Sequence, residues 1–128
     1  GVGMASAAKG ATTTLYHGAK HGLKGGKFNR GIAEGLTRDG TKLLNKGKPP
    51  GVYLTDNLKR ALDYARPGGK AAEVARTTVP AEAALEMREI VDGLVDYVAR
   101  TPAQERLLNE GVEVVPYMDA LKKWWLGQ

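Results

Sequence analysis

The side chains able to do chemistry in this chain are few, and their types narrow it. There is no cysteine among the 128 residues, so thiolate catalysis, a disulfide framework and a cysteine-ligated metal are all excluded. Imidazole comes only from His17 and His21. A two-histidine metal site would need carboxylates beside them at a ligand spacing, and no such spacing is present. His17 closes the run Leu15-Tyr16-His17-Gly18. A histidine placed so is either a satisfied structural residue or a site residue. A second run, Gly51-Val52-Tyr53-Leu54-Thr55, carries a phenol, and the helical pattern behind it carries another at Tyr64. Singly, Tyr53 reads as a strand aromatic and Tyr64 as an exposed helix residue. Jointly, with His17-Gly18 upstream, they read as a functional constellation. The carboxylate that stands out late in the chain is Glu113, alone between valines in Val112-Glu113-Val114-Val115-Pro116. It faces either water or a site.

Elements must bring these residues together. Thr12 to Tyr16 has strand character that His17-Gly18 ends, and the Gly- and Lys-rich stretch from Lys20 to Lys27 is loop. Phe28, Ile32 and Leu36 recur at helical spacing, with Gly35 ending the turn, and Thr37 to Pro50 is a long exposed loop. Val52 to Leu54 forms a strand, and Thr55 is an N-cap for a helix with Leu58, Ala61, Leu62 and Ala65 on one face. Tyr64 falls on another face, free to enter a cleft. Ala72 to Val79, ending at Pro80, suits a strand at or near a sheet edge. Ala83 to Arg100 reads as a helix with Ile90, Val91, Leu94, Val95 and Val98 on one stripe. Thr101-Pro102-Ala103-Gln104 is a fresh helix start, which Gly111 ends in a left-handed conformation. Val112 to Pro116 is the last strand, and Trp124-Trp125 reads as a lid over the core or as a partner surface.

The length fits one domain with its own core: residues 1–11 are a linker or an added lead, and residues 12–128 the domain. No run approaches the roughly 18 apolar residues of a membrane span, and the first ten residues lack the order of a signal peptide. Net charge is +5, unevenly spread. Residues 1–70 carry 13 Lys/Arg and 4 Asp/Glu, residues 71–128 carry 6 and 10. The basic half is either a solvated lysine surface or an attractor for an anionic ligand such as a phosphorylated cofactor or nucleic acid.

With those segments in view, the chain resembles the catalytic domain of ADP-ribosyltransferases of the diphtheria-toxin and poly(ADP-ribose) polymerase branch. The resemblance is carried by Tyr16-His17-Gly18-Ala19, Gly31-Ile32-Ala33-Glu34-Gly35-Leu36, Gly51-Val52-Tyr53-Leu54-Thr55 and Ala61-Leu62-Asp63-Tyr64-Ala65. These match the family's aromatic-His-Gly, Gly-Ile with Gly-Leu, Gly-Ile-Tyr and Ala-x-Tyr segments in order and approximate spacing over about residues 14–66. The family's third element is a glutamate at the start of a late strand. Glu113, followed by Val114-Val115, fits that place, with Glu110 as its competitor at a predicted helix end.

The resemblance implies an α+β domain with split, mostly antiparallel β-sheets and flanking helices, acting on NAD as substrate. It implies that the Gly18 backbone takes the carboxamide of nicotinamide, that Tyr53 and Tyr64 sandwich its ring, and that His17 meets a ribose hydroxyl on the adenosine side. It assigns Glu113 to the nicotinamide ribose, beside the developing oxocarbenium, and offers Lys20, Lys24, Lys27 and Arg30 to the pyrophosphate. It also implies a monomeric toxin domain at the C-terminus of a bacterial polymorphic effector, delivered by its producer to act in the target cytoplasm and paired with an immunity protein. The acceptor is a protein or an RNA. An NAD glycohydrolase on the same fold and a non-catalytic basic RNA-binding module are the rivals.

Overall fold

The protein, a computed structural model, is described over residues 10–28, 51–91 and 93–128. The expected helix after Phe28, the loop to Pro50 and the assignment of Arg30 lie outside these residues. Six strands form one α+β sheet in the order β4-β5-β2-β1-β3-β6, and every neighbouring pair is antiparallel. They are β1 (Thr12–Ala19), β2 (Val52–Thr55), β3 (Glu73–Pro80), β4 (Glu86–Val91), β5 (Leu94–Ala99) and β6 (Glu113–Pro116). β1 pairs with β3 over eight residues but with β2 at a single position, Tyr16 opposite Thr55. That one rung joins a β4-β5-β2 half to a β1-β3-β6 half.

Alternation along the strands gives the sheet two buried faces. On one, Leu15, Leu54, Ala75 and Val79 pack with Phe28, with Leu108 of α2 (Pro102–Glu110) and with Ala83. On the other, Val74 packs with Leu58, Ala61, Leu62 and Ala65 of α1 (Leu58–Ala65), and with Ala120 and Trp124 of the C-terminal helical segment. That segment is α3 (Tyr117–Ala120), continued by a wider turn over Leu121–Trp125. Trp124 is thus a lid over the second core, stacked obliquely on Tyr16 at 6.2 Å with the Arg76 guanidinium 4.6 Å over its ring.

Several local expectations hold. β2, the four core residues of α1 and the capping box at Thr101 and Gln104 form as the sequence indicates, whereas β1 begins at Thr12 as expected but runs on through His17 and Gly18 to Ala19 instead of ending at them. Others need correction. The stripe from Ile90 to Val98 belongs to a β-hairpin, β4 and β5, joined through Gly93 at φ +77°. Its β-branched residues fit the pleat of a strand better than a helix, and Ile90 and Val91 are exposed rather than core. β3 is interior, between β1 and β6, and Pro80 is tolerated because it is the strand's last residue. The N-cap of α1 is Asn57, which accepts from the Arg60 amide at 3.0 Å, while Thr55 Oγ1 accepts from the Asn57 amide. Gly111 sits at φ −120°, outside the left-handed region. Among the described residues no helix is long and apolar enough to cross a membrane.

Candidate functional site

A cavity of about 490 Å³ opens where β1 and β2 part, under α1. Its size falls in the usual range for small-molecule sites, about 300–1,000 Å³. His17, Gly18, Tyr53 and Tyr64, distant in sequence, all line it. Lys27 does not, although its neighbour Phe28 packs on the site from below, and Glu113 does not.

His17 is 7% exposed. Its Nδ1–H donates to the carbonyl oxygen of Tyr53 at 2.7 Å, and because a carbonyl only accepts, the bond fixes the tautomer with the proton on Nδ1. The ring is braced edge-on against Phe28 at 5.4 Å. Phe28 is fixed in turn by the Asn109 side chain, whose Oδ1 accepts from the Phe28 amide at 2.9 Å and whose Nδ2 donates to the Phe28 carbonyl at 3.0 Å. An amide that answers both backbone groups of one residue holds it as a ladder partner would.

Gly18 has a packing reason to be glycine. A Cβ there would overlap the Ala61 carbonyl oxygen, so only a bare backbone lets α1 lie this close to β1. The close approach brings Tyr64 over the cavity mouth. Tyr64 is 60% exposed, with the Lys20 ammonium 5.3 Å above its ring. Tyr53, half-buried on β2, has its phenol pushed above the usual tyrosine pKa by burial, against the opposing pull of Arg88 and Arg100. It is a neutral phenol at physiological pH.

Two acids reach the cavity, exposed Asp63 of α1 and buried Asp96 on β5, and Glu113 does not. Asp96 is 6% exposed, lies opposite Thr55 and is paired with Arg60 of α1 at 2.8 Å, and all three residues line the cavity. Glu113 is on β6 opposite Arg76, at the far edge of the sheet. Its carboxylate accepts from Arg76 at 2.9 Å and from Lys123 at 2.6 Å. The Lys123 bond, aided by Arg76, holds its pKa below the usual carboxylate range. Glu113 ties the C-terminal segment to the sheet. Glu110, the competitor, is exposed at the last position of α2 and is also off the cavity.

Among the described residues no group of three His, Cys, Asp or Glu side chains could hold a metal ion. The arrangement offers a fixed imidazole, three tyrosines (Tyr16, Tyr53 and Tyr64), one buried carboxylate and the cations Arg60 and Lys20 around one opening. Comparison with family models, with curated proteins and with solved structures returns no match to this chain.

Proposed function

We propose that this chain is an NAD-dependent ADP-ribosyltransferase with Asp96 in the place the resemblance gave to Glu113. One observation carries the reading: His17, Gly18, Tyr53 and Tyr64, named from sequence, line a single cavity together with a buried carboxylate.

In this reading NAD lies across the gap between β1 and β2. Tyr53 and Tyr64 offer flat faces to the nicotinamide ring, and the Gly18 backbone is its edge partner. His17, oriented by Tyr53 and Phe28, meets a ribose hydroxyl. The glycosidic C–N bond breaks with its electron pair passing to the nicotinamide nitrogen, so nicotinamide leaves neutral and the sugar becomes an oxocarbenium. Asp96, itself buried and held by Arg60, stabilises that positive charge as it develops. A nucleophile of the acceptor adds to C1′ and gives its proton to solvent. Among the described residues Lys20 and Arg60 are the cations nearest the cavity and available to the pyrophosphate. The delivered-toxin setting, with an immunity protein that would plug this cavity, follows from the resemblance.

NAD labelled in its adenylate half tests the reading. Label transferred to a macromolecule supports the transferase. Free ADP-ribose alone replaces it with a glycohydrolase, and unchanged NAD overturns the enzyme reading.

A further inference from the structure

We propose that Arg88, on the edge strand β4, is a positioning residue of the cavity that fixes the Tyr53 ring as its rigid wall. As a role towards NAD this rests on the transferase reading above; as an anchor of Tyr53 it stands without it.

Register brings the two side chains together. Arg88 is opposite Asp96 and Asp96 opposite Thr55, so the three share a face of the sheet, and Tyr53, two residues before Thr55 on β2, shares it too. β5 lies between them, which sets the two backbones about 10 Å apart, two strand spacings. Both side chains are long enough to meet over it, and the Arg88 guanidinium donates a hydrogen bond to the Tyr53 phenol. Arg88 does not itself line the cavity, so it acts through Tyr53.

The neighbouring guanidiniums are occupied differently. Arg60 is answered by Asp96 and Arg100 by Glu86, each at 2.8 Å. Arg88 is half-buried and forms no salt bridge among the described residues. An arginine that only pinned the hairpin would take a carboxylate, as Arg100 takes Glu86 of β4. Arg88 takes a phenol of the cavity wall instead, and a bond from a charged donor is the stronger kind. Tyr53 is thereby held twice, its carbonyl by the His17 ring at 2.7 Å and its hydroxyl by Arg88. Tyr64, the other ring of the proposed sandwich, is 60% exposed. One ring is fixed and the other free. A wall in place before the ligand arrives removes an ordering cost from binding. That gain is common to ground and transition states, so it belongs to KM and not to kcat.

Fluorine NMR of the full chain, with 3-fluorotyrosine for tyrosine so that the phenols titrate at lower pH, tests the anchor; Tyr53→Phe assigns the signal. Burial raises the Tyr53 pKa and Arg88 opposes it. Arg88→Gln is therefore expected to move the titration to higher pH, and Arg88→Lys, which keeps a cationic donor, to bring most of it back. In NAD turnover Arg88→Gln is expected to raise KM about tenfold and leave kcat within about twofold. Tyr53→Phe keeps the ring and removes only the bond, so it should raise KM alike, and the double variant should be no worse than either single one. This arm also decides the matter if Arg88→Gln does not fold. An unchanged fluorine titration, no recovery in Arg88→Lys, a loss confined to kcat, or additive losses in the double variant overturns the proposal. A wild type that neither binds nor turns over NAD overturns the transferase reading and the role towards NAD with it, while the fluorine titration still decides the anchor.

Discussion

Asp96 and Glu113 lie on one transverse row of the sheet, each two strands from β1 on opposite sides of Tyr16. The row runs Arg88, Asp96, Thr55, Tyr16, Arg76, Glu113, each residue directly opposite the next, so all six belong to the same face. Arg60 meets the first acid at the cavity; Arg76 and Lys123 meet the second at the sheet edge. Position in the sheet, not residue type, separates their roles.

Asp96→Asn, which keeps the shape and removes the charge, should lower nicotinamide release by about 100- to 1,000-fold, the usual loss for one preorganised electrostatic group. Glu113→Gln should stay within a few-fold of wild type. Steady-state assays with circular dichroism as the folding control check both. The reverse order of effects would return the catalytic acid to Glu113.

Gly18→Ala should destabilise the domain by about 1–3 kcal/mol, because the new methyl meets α1 backbone rather than a side chain that can swing away. Urea unfolding reads the loss. The displaced helix carries Tyr64 with it, so NAD affinity should fall in the fraction that remains folded.

Asn109→Leu removes both bonds to the Phe28 backbone at nearly constant volume. The Phe28 amide is then stranded, at a cost of about 1–3 kcal/mol. A shift in the His17 ring resonances on this distant substitution would show that α2 orients the imidazole through Phe28. Unchanged resonances would confine Asn109 to stability.

The Glu113 latch predicts an acid transition. Its pKa is lowered in the folded protein, chiefly by Lys123, so its contribution is present above the ordinary carboxylate value and is lost as pH falls through the folded one. Tryptophan emission should therefore shift towards that of exposed indole as pH drops below about 4.3. Glu113→Gln should show the loosened emission already at neutral pH. The Glu113 side chain is 38% exposed, so the latch should weaken with salt.

Much of the cavity was legible because its left wall is local. Leu15 to Gly18, Val52 to Thr55 and the Leu58–Ala65 face each announce their element within a few residues. The acid was not legible, for a traceable reason. Ile90, Val91, Leu94, Val95 and Val98 satisfy helical spacing as well as strand character, and a helix puts Asp96 on its solvent face. The signal that decides for a hairpin is Asp92-Gly93, a turn dipeptide between β-branched runs. Once that span is β5, Asp96 points inward beside Thr55. Glu113 does begin a short strand as expected. Which strands flank it depends on pairings between distant segments, and no local pattern encodes the order β4-β5-β2-β1-β3-β6.

The single rung between β1 and β2 makes that seam a fault line in an otherwise well-laddered sheet. Just past it the Tyr53 carbonyl of β2 accepts from the His17 ring. A guest wedged there meets two strand margins at once and knits the halves from within. Amide exchange along Gly18 and Tyr53 should therefore slow on NAD addition, while the β1–β3 ladder, already closed over eight pairs, keeps its rate.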